Sequence, residues 1–486
     1  MNTTPSSSRS GVTVAAVDLG ATSGRVIAAT VSADGIRLDE VGRFRTGAQR
    51  RSDGWHWDFG RIYGQVCAGL KAAQRASIGL ASVGVDSWAV DYGLLADGAL
   101  IRDPFHYRDE RNERGVAWVH ERISHAQLFA RDGLQFLPFN TLYQLAADRL
   151  DGVLERAQSM LLIPDLVTAL LTERFLAERT NASTTGLLDA TTRQWDDELM
   201  RRLELDRGLF ADLVDPGTEV GPIELLGGVP MVTVGSHDTA SAVVGIPATT
   251  PDFAYISCGT WGLVGLELER PLLSEDARVA GFTNELGVDG RVRFLHNVMG
   301  LWLLDESVRQ WHADGTTRLE LAELLSAAAE VEHAVPVFDA DDPVFLAPGD
   351  MPSRISAWFA ERGARAPEGV VETVRSIVES LAQTFADTVE RAVALSGRDV
   401  SVVHIVGGGS RNELLCRQVA ERSGRTVLAG PSEATALGNV LVQARAVGGG
   451  SGSFLGSDLE SLRAFAAAAF PPRVVQPAAT GMRGTP

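Results

Sequence analysis

Two widely separated stretches of this chain repeat one pattern, in which a short apolar strand, a glycine-rich turn and a second apolar strand follow one another. In the first, residues 12–17 and 26–31 flank the turn 18–25 (DLGATSGR), and in the second, residues 253–256 and 263–268 flank the turn 257–262 (SCGTWG). Glycines allow the backbone to approach an anion closely, and successive amides can form an anion-binding concavity. One such hairpin also fits an ordinary polar turn. Its recurrence predicts a duplicated, two-domain α/β chain with a cleft between the domains.

Two further segments add to this pattern. Residues 81–95 read as another strand–turn–strand unit that carries Asp86 and Asp91, and residues 401–406 form a strand that runs into the glycine run 407–409 and then a helix. The adenosine or a phosphate of a nucleotide could lie against such a run.

The segment 229–245 (VPMVTVGSHDTASAVVG) predicts a buried strand, a break at Gly235 and a helix of small residues that begins near Thr239. His237 and Asp238 therefore lie where a strand ends and a helix starts, which is the edge of an open α/β sheet where ligands bind. Asp238 has two equally weighted interpretations at this point. It is either the N-cap of the helix or a catalytic carboxylate.

The composition limits the classes of partner. A chain of 486 residues with 45% hydrophobic residues and 50 glycines is typical of a soluble α/β enzyme with two large domains or three ordinary ones. The net charge of −18 argues against nucleic acid and anionic membranes as partners. An anionic ligand would need local donors or a divalent cation, and Asp18, at the end of the first strand, is well placed to hold a hydrated Mg²⁺.

Several common sites and targeting signals are unsupported by the sequence. The 3 cysteines have no metal-site spacing, the polar N-terminus lacks the apolar core of a signal peptide, and no long apolar run predicts a membrane span, so we expect a cytoplasmic protein. Lys71 is the only lysine and does not belong to a P-loop, and no GxGxxG opens a helix after a strand. Any phosphate chemistry would therefore depend on the hairpins.

The two hairpin turns and the glycine run resemble those of the FGGY carbohydrate kinases, the sugar-kinase branch of the actin and Hsp70 ATPase superfamily. Longer strings at 135–145, 236–243, 298–304 and 429–434 resemble the members of this family that phosphorylate L-rhamnulose. The resemblance runs from about Val14 to about Leu441. It implies a two-domain, actin/Hsp70-like (ribonuclease H-like) α/β fold with an interdomain cleft, and ATP and Mg²⁺ as cofactors.

The resemblance also implies roles for individual residues. Asp238 matches the general base. The implied nucleotide-binding residues are Ala21, Thr22, Ser23, Gly24, Arg25, Thr260, Asp305 and Gly408. The implied sugar-binding residues are Ala89, His237, Asp238, Thr239 and Asn297.

Three positions depart from the pattern of the family. Ala89 stands where the L-rhamnulose kinases usually carry glycine, and Asp305 stands where a nucleotide-contacting glutamine is expected. Thr141 replaces a lysine that many FGGY kinases carry, although the L-rhamnulose kinases share that change.

We therefore expect an N-terminal domain at 12–248 for sugar and phosphate binding and a C-terminal domain at 249–470 for nucleotide binding, flanked by a disordered segment 1–11 and a flexible tail 471–486. The expected reaction is ATP-dependent phosphorylation of O1 of L-rhamnulose by a monomer or homodimer. One alternative is the same chemistry on another ketose, such as L-fuculose or a ketopentose. Alternatives of another class are a conformational ATPase of the Hsp70 or actin kind and a sugar-sensing pseudokinase.

Overall fold

The computed structural model describes residues 11–77, 79–448 and 455–478, which separate into two compact units. The first unit comprises the described residues up to Thr249, together with Leu268–Arg293 and Ala434–Ala469. The second comprises Thr250–Glu267, Phe294–Glu433 and the described residues from Phe470 onward.

Both units contain strands and helices. The strands are β1 Val12–Leu19, β2 Ser23–Ser32, β3 Gly35–Arg45, β4 Ala48–Arg51, β5 Gly54–Trp57, β6 Leu80–Ser87, β7 Tyr92–Ala96, β8 Ala99–Leu100, β9 Ser159–Leu162, β10 Ala177–Glu178, β11 Leu213–Val214, β12 Glu219–Ile223, β13 Val229–Val232, β14 Phe253–Cys258, β15 Trp261–Leu268, β16 Thr283–Leu286, β17 Val292–Met299, β18 Val402–Val406, β19 Thr426–Ala429 and β20 Arg473–Val475. The helices are α1 Phe59–Ala76, α2 Asn112–His120, α3 His125–Asp132, α4 Thr141–Leu150, α5 Ile163–Thr172, α6 Arg179–Ala182, α7 Asp197–Arg202, α8 Asp238–Val244, α9 Glu275–Val279, α10 Trp302–Asp314, α11 Leu321–Ala329, α12 Met351–Glu361, α13 Gly369–Ser396, α14 Glu413–Ser423, α15 Ala434–Gly448 and α16 Leu459–Ala469.

The first unit is built on a mixed six-stranded sheet in the order β12-β13-β6-β1-β2-β3. Strands β1 and β2 form the predicted antiparallel hairpin, whereas β6 runs parallel to both β1 and β13. The central strands β1 and β6 are almost wholly buried, which explains their continuous apolar sequences. Three parallel chain segments therefore end at one edge of this sheet.

Helices α8 and α15 pack closely within the first unit because glycine removes the side chain at each crossing. A Cβ atom at Gly438 would lie 1.8 Å from the carbonyl oxygen of Ser241, and one at Gly245 would lie 2.2 Å from that of Ala434. This contact groups Ala434–Ala469 with the first unit. The division therefore differs from the sequence expectation of one boundary at 248/249 with everything up to 470 in the C-terminal domain.

In the second unit, the strands run in the order β17-β15-β14-β18-β19-β20. Strands β14 and β15 form the second predicted hairpin, and β18 and β19 continue the sheet in parallel. Part of the expected flexible tail is ordered, because β20 pairs antiparallel with β19. The remainder of that tail, 479–486, and residues 1–10 of the expected disordered N-terminus lie outside the described residues.

The prediction of a two-domain α/β fold with paired hairpins is confirmed by these two sheets. None of the helices among the described residues combines the length and the apolar character needed to cross a bilayer.

Candidate active site

Three carboxylates lie at the carboxyl ends of neighbouring segments in the first unit. Asp18 and Asp86 are register partners on the parallel strands β1 and β6. Ser87 forms a parallel bridge with His237, so that Asp238 follows at the end of the adjacent segment. The carboxyl edge of a parallel sheet is where ligands of open α/β folds bind, and this edge therefore forms the candidate site.

Asp238 is the first residue of α8, and the N-cap position belongs to His237. The interpretation of Asp238 as the N-cap is therefore wrong, because the N-cap lies one residue earlier. The Asp238 side chain contacts Thr239 and His237 instead. Its Oδ1 accepts a hydrogen bond from Thr239 Oγ1 at 3.1 Å and lies 3.3 Å from His237 Nε2. Burial raises the pKa of the Asp238 carboxyl, His237 opposes that rise, and the charge of Asp18 adds to it. A raised pKa suits a general base that works near neutral pH.

His237 contacts a buried ion pair between Arg293 and Glu285 that could not be expected from sequence alone. Arg293 Nη2 lies 3.1 Å from His237 Nδ1, and Arg293 Nη1 lies 3.0 Å from Glu285 Oε2. The guanidinium of Arg293 is fully buried and also donates from Nε to the carbonyl oxygen of Leu286 at 3.1 Å. Burial disfavours ionisation of Glu285, but Arg293 and His237 hold the pKa of its carboxyl below the usual value.

The turn before Asp238 is anchored by Glu178, which lies fully buried at the end of β10. Glu178 Oε2 accepts hydrogen bonds from Ser236 N at 3.0 Å and from Ser236 Oγ at 2.6 Å, and the same carboxylate accepts from Thr180. Burial raises the pKa of Glu178, and these hydrogen bonds oppose the rise. The backbone that carries His237 and Asp238 is thus fixed from a separate segment.

The expected phosphate-binding turn lies at the tip of the β1–β2 hairpin. Thr22 is exposed there, and Gly20 N donates to Ser23 O at 2.9 Å. The turn opens onto a depression of about 630 Å³ that is lined by Ala21, Thr22, Ser23, Arg43, Phe44, Arg45, Thr46 and Gly47. The guanidinium of Arg25 is paired rather than exposed as an isolated charge, because its Nη2 forms an ion pair with Asp18 at 2.5 Å. Of the implied phosphate residues, Ala21, Thr22 and Ser23 line this depression.

Asp86 ends a buried ladder of polar side chains between α15 and the sheet. Asn439 Nδ2 donates to Asp86 Oδ2 at 2.6 Å, Gln443 Nε2 donates to Asn439 Oδ1 at 2.6 Å, and Ser82 Oγ donates to Gln443 at 2.8 Å. Burial, followed by the charge of Asp18, raises the pKa of the Asp86 carboxyl well above its usual value. Asp86 Oδ1 is buried and has no hydrogen-bond partner among the described residues.

These carboxylates fit a hydrated Mg²⁺ but would not form a complete site for one. Among the described residues, no group of three or more His, Cys, Asp or Glu side chains is arranged to hold a metal ion. Mg²⁺ in phosphoryl-transfer enzymes typically takes one or two carboxylates, with water and substrate phosphates supplying the remaining ligands. Asp18, with the unpartnered Oδ1 of Asp86 on the neighbouring strand, is consistent with that donor set.

Ala89 lies in a tight turn immediately after β6. Asp91 N donates to Ala89 O at 2.9 Å, and the residue between them, Val90, has a φ of 67°, which is rare and strained for a β-branched side chain. Ala89 is partly exposed, whereas its neighbours on both sides are buried. Trp88 packs on the fully buried Trp57 with ring centroids 4.1 Å apart.

The implied nucleotide residues of the second unit gather around the end of β14. Thr260 lies in the β14–β15 turn, and the start of α10 packs on that turn, since Leu301 N donates to Gly259 O at 2.8 Å. Gly407 has a φ of 76°, and a Cβ there would lie 2.9 Å from Cys258 O, so the glycine run also approaches this strand end. Gly408 is exposed, and Asp305 is exposed in the first turn of α10.

The predicted site residues therefore fall into two groups, one in each unit. The first unit brings together Asp18, Ala21–Arg25, Ala89 and His237–Thr239, and the second brings together Thr260, Asp305 and Gly408, with Asn297 on β17. Sequence reasoning assigned no role to the residues that hold the first group in place, which are Glu178, Glu285, Arg293, Asn439 and Asp91. Their only sequence signal is a charged or amide residue within an apolar segment, and that signal does not identify a partner.

Comparison with protein families gives matches over nearly the whole chain. Residues 13–245 match the N-terminal domain of the FGGY family of carbohydrate kinases, and residues 254–447 match its C-terminal domain.

Individual relatives agree with these matches. The chain is 38% identical over 443 residues to a rhamnulokinase of Bacteroides thetaiotaomicron, a match that covers 89% of this chain and 90% of the relative. It is 39% identical over 448 residues to a rhamnulokinase of Enterococcus faecalis, with 90% of each chain covered.

Solved structures of carbohydrate kinases share the fold. A ligand-bound xylulose kinase from Lactobacillus acidophilus superposes with a TM-score of 0.75 at 17% identity, covering 96% of this chain and 94% of that one. A glycerol kinase from Plasmodium falciparum with ADP superposes with a TM-score of 0.72 at 15% identity and the same coverage. Together with the two family matches, these similarities show that the chain belongs to the FGGY family of carbohydrate kinases.

Proposed function

We propose that this carbohydrate kinase transfers the γ-phosphoryl group of ATP to O1 of L-rhamnulose and forms L-rhamnulose 1-phosphate. The observation that carries the proposal is the identity of 36–39% with rhamnulokinases over about 90% of the chain. The arrangement around Asp238 supports it, because a half-buried carboxylate follows a strand end beside a partly exposed turn at Ala89.

Asp238 is the proposed general base. Its Oδ1 lies 3.1 Å from Thr239 Oγ1 and 3.3 Å from His237 Nε2, so Oδ1 is the oxygen that these neighbours face. Oδ2 is therefore the oxygen that accepts the proton of the attacking sugar hydroxyl. Burial raises the pKa of the Asp238 carboxyl, which strengthens it as a proton acceptor.

Positioning and charge neutralisation dominate phosphoryl transfer, since its loose transition state needs little covalent help from the protein. The turn at Ala21–Ser23 is proposed to cradle phosphate oxygens, with Thr22 supplying an exposed hydroxyl. Asp18 is proposed to hold Mg²⁺, which when bound offsets the charge of the triphosphate. Thr260, Gly408 and Asp305 are proposed to contact the nucleotide, and Ala89, Thr239 and Asn297 the sugar.

A cytoplasmic location and a monomeric or homodimeric state also belong to the proposal.

The test is ATP consumption by the purified chain with L-rhamnulose, L-fuculose, L-ribulose and L-xylulose, each with and without Mg²⁺. We expect the highest kcat/KM with L-rhamnulose, no turnover without Mg²⁺, and a product whose phosphate lies on O1 by ³¹P–¹H NMR. A reaction without sugar serves as the control. Full-rate ATP hydrolysis in that control would indicate a conformational ATPase, and ligand binding without turnover would indicate a pseudokinase. Preference for another ketose would replace the proposed substrate but retain the kinase.

A further inference from the structure

We infer that His237 is a positioning residue for Asp238, and that Arg293 sets the tautomer of His237 so that its proton lies on Nε2, the ring nitrogen 3.3 Å from Asp238 Oδ1. This inference rests on the proposed role of Asp238 as the base. It differs from the sequence expectation that His237 serves as a sugar contact, and it assigns roles to Arg293 and Glu285.

The tautomer follows from the direction of the hydrogen bond at Nδ1. A guanidinium donates hydrogen bonds and cannot accept them. Arg293 Nη2 lies 3.1 Å from His237 Nδ1 in hydrogen-bonding geometry, so Nδ1 must be the unprotonated acceptor. The proton of a neutral imidazole then lies on Nε2, the ring nitrogen that is 3.3 Å from Asp238 Oδ1.

Glu285 offers the competing arrangement. Its Oε2 lies 3.2 Å from His237 Nδ1, and a proton on Nδ1 could be donated to it. The contact between Nδ1 and Glu285 Oε2 is an ion-pair distance without hydrogen-bond geometry, and the same Oε2 lies 3.0 Å from Arg293 Nη1. Of the described residues that face Nδ1, Arg293 is thus the one with hydrogen-bond geometry to it, and its donation to Nδ1 keeps the imidazole proton on Nε2.

A purely structural interpretation of the ion pair is that it joins β16 to β17, the strands that carry Glu285 and Arg293. That role needs the hydrogen bond from Arg293 Nε to Leu286 O and the ion pair of Nη1 with Glu285. It does not explain the contact of Nη2 with His237. Of these three contacts, only that of Nη2 with His237 reaches the start of α8, where Asp238 lies. It is also the contact that distinguishes the two interpretations experimentally.

The two oxygens of the Asp238 carboxylate therefore have different roles, since one orients the side chain and the other accepts the proton. Thr239 Oγ1 and His237 Nε2 face Oδ1, which fixes the orientation of the carboxylate. Oδ2 is then presented to the sugar hydroxyl. Burial raises the pKa of Asp238 and Asp18 on β1 adds to that rise, whereas the neighbouring His237 and the hydrogen bond from Thr239 lower it. Asp86 on β6 and Arg25, which pairs with Asp18, are further titratable or charged groups near this edge.

The first test does not involve sugar. With ¹⁵N-labelled histidine in the full chain, the two ring nitrogens of His237 are assigned by their loss in His237→Gln among the 9 histidines. We expect a neutral ring with a pyrrole-type Nε2 and a pyridine-type Nδ1. A protonated Nδ1, in either the neutral or the cationic ring, would overturn the inference.

The second test uses the competition for Nδ1. Arg293→Met removes the donor to His237 Nδ1, so the imidazole proton should move to Nδ1 and bond to Glu285. The unprotonated Nε2 and Asp238 Oδ1 would then be two acceptors that face each other. We expect kcat to fall about tenfold or more, KM for the ketose to stay within about twofold, and the acidic limb of the kcat profile to move up by about one pH unit. Arg293→Lys retains a donor and should lose much less.

The double variant Arg293→Met/Glu285→Gln distinguishes the positioning role from the structural one. It also avoids leaving the buried Glu285 carboxylate without the charge of Arg293. A glutamine at position 285 can donate to Nδ1, so the double variant should recover most of the kcat that Arg293→Met loses, with its pH limb restored. A folded double variant without recovery would refute the positioning role.

Arg463→Met is the matched control, since Arg463 is also buried and donates to Val243 O at 3.0 Å at the opposite end of α8. It should lower Tm without moving the pH limb. A wild-type chain that phosphorylates no ketose yet shows the Nε2–H tautomer would contradict the proposed function and leave the placement of His237 intact.

Discussion

Thr141 Oγ1 donates a hydrogen bond of 2.7 Å to the carbonyl oxygen of Val90, the strained residue in the turn that presents Ala89. Gln144, one helical turn later on α4, donates to the same oxygen at 3.3 Å and to Asp91 Oδ1 at 3.0 Å. A positive φ at a buried valine costs on the order of 1–3 kcal/mol and persists only where the surroundings hold it. Helix α4 therefore fixes the shape of the expected sugar-binding turn.

Removing the Thr141 hydroxyl should loosen this turn. We expect Thr141→Val to raise KM for the ketose about threefold to tenfold, equivalent to about 0.7–1.4 kcal/mol, with a smaller change in kcat. Thr141→Ser keeps the hydroxyl and serves as the control. Steady-state kinetics with saturating ATP measure both, and equal KM values for the two variants would argue against the role of this bond.

Replacing the proposed base should remove activity and leave the fold intact. We expect Asp238→Asn to lower kcat by ~10²–10⁴, or roughly 3–5 kcal/mol of barrier, because an amide cannot accept the sugar proton. The matched control is Asp350→Asn, since Asp350 caps α12 in the second unit and should not affect kcat. Kinetics and thermal unfolding on the same preparations separate catalysis from stability. A folded Asp238→Asn enzyme with near wild-type kcat would falsify the assignment.

The methyl group of Ala89 should narrow the sugar pocket at this turn. We expect Ala89→Gly to raise kcat/KM for L-rhamnulose relative to L-ribulose, since a methyl-sized change in a pocket is worth ~1–3 kcal/mol of discrimination. The measurement is the ratio of the two kcat/KM values in the variant and the wild type. If the ratio does not change, Ala89 does not contact the part of the sugar that differs between these substrates.

Asp91 should make stability depend on pH. Its buried carboxyl accepts from Gln144, Trp57 and Trp88, and burial outweighs these bonds and raises its pKa to about 7. The folded state therefore binds a proton more tightly than the unfolded state does. The resulting stabilisation is complete below the unfolded pKa near 4 and is lost as pH rises through about 7.

Asp91→Asn removes this titration. The free energy of unfolding of the wild type, relative to that of the variant, should fall by about 2 kcal/mol between about pH 5.5 and about pH 8. Urea unfolding of both proteins across this range measures the difference. Parallel pH profiles would show that Asp91 does not titrate there.

Two glycine substitutions should change stability in opposite directions. Gly438→Ala would place a Cβ 1.8 Å from Ser241 O, where α15 crosses α8, so we expect a loss of about 2 kcal/mol or more. At Gly64, in the exposed face of α1, an added Cβ meets nothing within 4 Å. Gly64→Ala should therefore stabilise the protein by about 0.5–1 kcal/mol. Tm and urea midpoints measure both, and similar losses in the two variants would show that helix crossing is not the cause.

Local sequence was sufficient to predict the elements whose pattern lies within a few residues. Both hairpins, the parallel strand before the glycine run and the strand-to-helix break at Gly235 are short apolar segments next to glycine, and each was predicted close to its observed bounds. Asp18 and Asp238 could be proposed because strand ends are visible in sequence, whereas Ala89 was implied only by the resemblance to the FGGY kinases. The position of Asp238 within α8 was wrong by one residue, since N-cap and first-turn carboxylates share the same local pattern.

Tertiary structure alone decided what surrounds these residues. Arg293 reaches His237 over 56 positions, Glu178 reaches Ser236 over 58, and Asn439 reaches Asp86 over 353. Each is a charged or amide side chain whose partner is set by the chain's path and by the close crossing of α8 and α15, which also groups Ala434–Ala469 with the first unit. A buried polar group needs a partner, but sequence shows only the need, because any distant segment can satisfy it.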